Sequence, residues 1–137
     1  MKHEELTGKI IKVFYDVFNE LGYGFTEKIY ERALAIALEE NGLKVESQVD
    51  YQVHFHGKMI VNNYVDLLVE KKVILELKAA AVISEAYEAQ LLNYLKASVI
   101  EVGLILNFGI KPEVKRVLFD NDRKKPRVKW NAQIETK

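Results

Sequence analysis

The chain contains no cysteine, which excludes disulfides, thiolate metal sites and cysteine nucleophiles. It also lacks an excess of either charge. Lys and Arg number 20 against 20 Asp and Glu, so the composition makes no global electrostatic case for a nucleic-acid partner. No apolar run approaches the roughly 20 residues that a membrane span requires. The opening Met1-Lys2-His3-Glu4-Glu5 starts a polar-apolar pattern with no signal-peptide core. A soluble, unexported, cytoplasmic protein is the expectation. Internal repeats and low-complexity segments are absent too. With 137 residues, 49% of them hydrophobic, the chain can bury one substantial core but hardly two. Residues 1–120 therefore read as a single domain, and the basic stretch within 121–137 as a loosely held C-terminal tail.

Against that ordinary background, charges stand inside segments that otherwise read as buried strands. Tyr64-Val65-Asp66-Leu67-Leu68-Val69 and Val73-Ile74-Leu75-Glu76-Leu77-Lys78 flank Glu70-Lys71-Lys72. If they fold back as a hairpin centred on Lys71, Asp66 falls opposite Glu76, with Cβ atoms roughly 4.5–5.5 Å apart. Like charges so placed are destabilising, and a cation between them would resolve the conflict. Lys78, two residues beyond Glu76, projects from the same face. Leu67, Val69, Leu75 and Leu77 form one apolar face, while Leu68 and Ile74 make the carboxylate face partly apolar, as in a sheet covered on both sides. The alternative is a solvated strand face with cross-strand ion pairs.

The remaining pattern is α/β. Leu6, Ile10, Val13, Phe14, Val17, Phe18 and Leu21 recur at helical spacing over about 4–21, and Gly22-Tyr23-Gly24 stops that helix. Thr26 can cap a second helix carrying Tyr30, Leu34, Ala37 and Leu38, which Asn41-Gly42 ends. Val49, Tyr51, Val53 and Phe55 alternate with polar residues as in a half-buried strand ending at Gly57-Lys58, and Met59 to Val61 lead into the next. Ser84 begins a third helix, and Val102 to Phe108 is a near-continuous apolar strand. A strand, a helix and a further apolar strand suggest a crossover with a parallel partner. Val114 to Phe119 reads as an edge strand.

Five motifs follow in order: Gly24-Phe25-Thr26-Glu27-Lys28-Ile29-Tyr30, Asp66-Leu67-Leu68-Val69, Glu76-Leu77-Lys78, Gln90-Leu91-Leu92-Asn93-Tyr94-Leu95-Lys96 and Gly103-Leu104-Ile105-Leu106-Asn107-Phe108. In this order they resemble the PD-(D/E)XK nuclease superfamily, and within it the small prokaryotic family of GxxExxY proteins, over about residues 5–119. The resemblance implies a restriction-endonuclease-like core, a mixed β-sheet flanked by helices. It also implies that Asp66, Glu76 and the Leu77 carbonyl bind Mg²⁺ or Mn²⁺, and that Lys78 positions or activates the attacking water. Glu27 and Gln90 would support catalysis, and Gly24, Tyr30 and Tyr94 would contact substrate. Each supporting residue has a plainer reading: Glu27 suits the positive end of a helix dipole, and Tyr30 and Tyr94 suit core packing. One departure stands out, because relatives often carry His near the position of Tyr87, and Tyr cannot replace it as a neutral proton acceptor.

The implied activity is phosphodiester hydrolysis of nucleic acid, DNA favoured, by a protein that must gather its basic residues on one side or act as an oligomer, possible as a homodimer. The alternative is a non-catalytic nucleic-acid- or protein-binding module that keeps the fold. His54 and His56 could bind zinc from one strand face or merely be solvated. Trp130, the sole tryptophan, could stack on a base or anchor the tail.

Overall fold

The computed structural model describes residues 2–124 and 129–131. Its elements are α1 (Glu4–Leu21), α2 (Glu27–Glu40), β1 (Val45–Phe55), β2 (Lys58–Val69), β3 (Val73–Lys78), α3 (Glu85–Ala97), β4 (Val102–Phe108), β5 (Pro112–Leu118), a 3-10 turn at Asn121–Arg123 and β6 (Lys129–Asn131). The strands form one mixed sheet in the order β5-β4-β3-β2-β1-β6. Among the described residues, only β3 and β4 pair in parallel, across the α3 crossover, as the apolar runs predict.

Both faces of the central strands are covered, which explains their lack of polar alternation. On one face α1 and α2 bury Ile10, Phe14 and Leu34 against Leu67, Leu75, Leu77 and Leu104. On the other, α3 lays Leu91 and Leu95 over Leu68, Ile74 and Ile105. The connection between α1 and α2 is fixed by Tyr30. Its hydroxyl donates to the Gly22 carbonyl at 2.6 Å and accepts from the Phe25 amide at 3.2 Å, and its ring stacks on Phe108 at 4.1 Å. Thr26 stands at the start of α2 as expected, but its side chain makes no capping bond. Ser84 does cap α3, accepting from the Tyr87 amide.

Past Lys78 the chain is tied to β4. Asn107, fully buried, accepts from the Ala80 amide and donates to the Ala80 carbonyl, both at 2.9 Å. Gly109 has to be small here, since a Cβ would lie 2.5 Å from that same carbonyl oxygen. Gly109→Ala is therefore expected to destabilise the fold by about 1–3 kcal/mol. Gly8→Ala, on exposed α1 with open space around it, should stabilise it by about 0.5–1 kcal/mol. Urea denaturation of the two variants checks the pair, and equal effects would refute the packing argument.

Two expectations need adjustment. Among the residues expected as a loosely held tail, Lys124 donates to the carbonyls of Ser98 and Ile100, and Lys129–Asn131 pair with His54, Val53 and Gln52 as a sixth strand. Residues 125–128 and 132–137, which hold much of the basic stretch, lie outside the described residues. So does the side chain of Trp130. His54 and His56 do not share a strand face, because β1 ends at Phe55 and His56 occupies the turn at φ 51°.

Candidate functional site

The β2–β3 hairpin has the register that symmetry about Lys71 predicts, with Val69↔Val73, Leu68↔Ile74 and Leu67↔Leu75 paired. Glu70 and Lys71 both adopt positive φ, and the Lys72 amide closes the turn on the Val69 carbonyl at 2.9 Å, the primed geometry that suits a twisted hairpin. The backbone ladder stops at Leu67↔Leu75. Carboxylates make the next rung. Asp66 Oδ2 accepts from the Leu77 amide at 2.8 Å, and the Asp66 amide in turn favours the charged form of Glu76 by hydrogen bonding.

Glu76 lies at the centre of this arrangement, 7% exposed, with Oε1 buried and without a hydrogen-bond partner. Burial, followed by the charge of Asp66, pushes its carboxyl up to about 8, although Lys78 acts in the opposite direction. Asp66 is also raised, chiefly by burial, while the Leu77 amide, Lys78 and Gln48 favour its ionised form. Lys78 extends from the end of β3 and holds its ammonium 4.5 Å from the centre of the Tyr87 ring. The position that departs from the expected histidine thus supplies an aromatic face to the lysine.

Two helices bring the supporting residues. Glu27 is exposed in the first turn of α2, and its charge contributes to the rise of Glu76. Gln90 is exposed on α3 and hydrogen-bonds Tyr94. Tyr94 is 4% exposed, packs edge-on against Tyr51 at 4.9 Å, and has its hydroxyl raised by burial and by the charges of Glu76 and Asp66. Gly24, at φ 109°, is exposed with open space beside it. Tyr30 does not join the group, since it is fully buried and its hydroxyl is spent on the turn. Leu77 is buried in the core, where only its backbone serves the site.

Sequence reasoning missed Glu31 and Gln48. Glu31 is 7% exposed on α2 and accepts from Gln48 Nε2 at 2.8 Å. Burial, then the charge of Asp66, raises its carboxyl. Its signal was available, because it follows Glu27 by four residues on the same helical face. Gln48 gave none: it is a non-glycine residue at φ 52° within a strand.

Among the described residues, no three carboxylate or imidazole groups form a ready-made metal cage. The donors that fit a cation are the two carboxylates and nearby backbone. An orphaned carboxylate oxygen beside a second carboxylate is nonetheless what a hard, oxygen-seeking divalent ion satisfies, with water completing its shell. The groove of about 420 Å³ between α1 and α2, lined by Val13, Val17, Ala33 and Ala37, holds none of these groups.

Comparison with known proteins bears on the same residues. A family model described as the PD-(D/E)XK nuclease superfamily matches residues 4–117, spanning every site residue named above. No curated protein matches. The crystal structure of SSO0001 is similar in fold, with a TM-score of 0.52 and 17% identity over 68% of this chain. The chain matches half the length of that protein.

Proposed function

The chain belongs to the PD-(D/E)XK nuclease superfamily, and from that premise we propose that it is a Mg²⁺- or Mn²⁺-dependent nuclease that hydrolyses phosphodiester bonds, with DNA the favoured substrate. The observation that carries this reading is Glu76, a buried carboxylate with an unpartnered oxygen whose carboxyl is raised by the charge of Asp66, one step beyond the last paired rung of the hairpin. Such a pair is costly unless a cation is shared. Asp66, Glu76 and the Leu77 carbonyl would hold the ion, which would acidify water and offset phosphate charge. Lys78, steadied by Tyr87, presents its ammonium to the attacking water or a phosphate oxygen. Glu27 and the Gln90–Tyr94 pair border the site from α2 and α3 and orient what enters it. Gly24 lets backbone approach a phosphate. The finer placement among GxxExxY proteins rests on the Gly24 to Tyr30 motif.

A second reading, a binding module without turnover, is favoured by the zero net charge, because DNA binding ordinarily draws on a basic surface. The homodimer remains part of the proposal as one way to gather basic residues around the substrate.

Incubation of purified protein with DNA and Mg²⁺ or Mn²⁺ distinguishes the two. Cleavage is expected, and Asp66→Asn and Lys78→Ala should each reduce it at least about 100-fold while circular dichroism stays unchanged. Persistent cleavage by Asp66→Asn would refute this site. Retained DNA binding with no cleavage by the wild type would establish the module instead.

A further inference from the structure

The apolar neighbours of Asp66 reveal a fault in the sheet. On β2, Leu67 and Val69 face α1 and α2, yet Val65 packs in the α3 cluster. Strict alternation would have put Val65 with Leu67 and Val69. β1 shows the same reversal: Val45 packs towards α1 and α2, while Val49, Tyr51 and Val53 pack on the α3 side. The two reversals meet. The β1–β2 register runs Ser47↔Leu67 and then Val49↔Val65, which leaves Gln48 opposite Asp66 outside the regular pairing. Gln48 carries the reversal in its backbone, at φ 52°.

A left-handed conformation of a non-glycine residue inside a strand is unfavourable and persists only where its surroundings demand it. Here the demand is visible in the side chain. Gln48 Nε2 donates to Glu31 Oε1 at 2.8 Å, and Gln48 lies opposite Asp66 between the Ser47↔Leu67 and Val49↔Val65 pairs, where its side chain favours the ionised form of that carboxylate. A primary amide has two N–H donors, enough for one to each carboxylate. The amide is neutral, so it can stand between two acids without being drawn off as a counter-ion. It also joins α2 to the β2 end of the site, which no backbone ladder does at that point.

We propose that Gln48 is a positioning residue for the metal-binding carboxylates: its kinked backbone sets its amide between Glu31 and Asp66 and so fixes Asp66 on the Leu77 amide, aimed at Glu76. The inference rests on the nuclease-site reading for the identity of the ligands, while the clamp itself concerns residues of this chain alone. It also gives Glu31 a task. Glu31 anchors the far side of the amide, and Asp66 receives the near side.

Gln48→Gly separates backbone from side chain, since glycine adopts φ 52° without strain but has no amide. The variant's Leu77 amide proton, having lost a fixed Asp66 acceptor, should shift upfield and exchange faster by NMR. Mn²⁺ affinity measured by calorimetry should fall at least about tenfold, the scale typical of outer residues that orient metal ligands. An unchanged Leu77 resonance and unchanged Mn²⁺ affinity would overturn the proposal. A wild-type protein that binds no Mn²⁺ would defeat the nuclease reading instead, and the Leu77 comparison would still decide for or against the clamp. Should Gln48→Gly fail to fold, Gln48→Asn, whose side chain tolerates positive φ but is one methylene too short to span both carboxylates, is read in the same way.

Discussion

Glu76→Gln is expected to raise the stability of the metal-free protein while destroying its affinity for divalent cations. The native side chain is 7% exposed, has an unpartnered oxygen and faces Asp66. At neutral pH the fold must either hold a desolvated charge beside a second one or take up a proton that the unfolded chain would release. Glutamine has nearly the same shape and removes that conflict. Its carbonyl can keep the bond from the Asp66 amide, and its amide can donate to the Asp66 carboxylate. A gain of about 2 kcal/mol near pH 7 follows, which for a domain of this size is roughly 8 °C in melting temperature. The same change removes one of the two anionic oxygen ligands, and Mn²⁺ affinity should fall by about 100-fold or more. Calorimetric melting with chelator and titration with Mn²⁺ measure both halves. A variant that melts lower than wild type and still binds Mn²⁺ would show that Glu76 serves packing, not a cation.

The conflict between burial and charge at Asp66 and Glu76 explains why these positions were readable from the chain. Charged residues within buried strands contradict the local pattern, and a contradiction of that kind marks places where function overrides stability. The hairpin register followed from symmetry about Lys71, and side-chain period two put Lys78 beside Glu76. Parallel β3–β4 pairing followed from the apolar runs on either side of α3. What escaped was non-local. Nothing in the order of residues tells that β1 and β2 reverse their facing at Gln48 and Asp66, because the reversal depends on one backbone angle and on a contact with α2. Glu31 was readable as a helix neighbour of Glu27, but its burial comes from packing against β1. Tyr30 illustrates the opposite case. Its place in the Gly24 to Tyr30 motif invited a substrate role, whereas its hydroxyl and ring hold the α1–α2 turn on Phe108. A motif position records a requirement without saying whether chemistry or architecture imposes it.

The stability of the metal-free protein should fall as pH rises from about 5 to about 8, and saturating Mg²⁺ should reverse that slope. Glu76 has its carboxyl raised from 4.5 to about 8, and Asp66 and Glu31 are raised as well. Between the ordinary and the raised values the folded state holds more protons than the unfolded chain, so each step up in pH favours unfolding. The contribution is fully present below the ordinary carboxylate range and is lost as pH passes through about 8, where Glu76 ionises in the fold. For Glu76 alone the loss is on the order of 3 kcal/mol. Asp66 and Glu31 act in the same direction, burial raising each, while the Leu77 amide, Lys78 and Gln48 oppose the rise at Asp66 and Gln48 opposes it at Glu31. A bound cation requires the ionised carboxylates and so competes with those protons. Its stabilisation grows with pH over the same window in which the metal-free protein weakens. Thermal melts across that range, with chelator and with Mg²⁺, should diverge steadily, and Glu76→Gln should flatten the chelator series. Parallel curves with and without Mg²⁺ would mean that protons and cation do not share these carboxylates, and the metal assignment to Asp66 and Glu76 would fall.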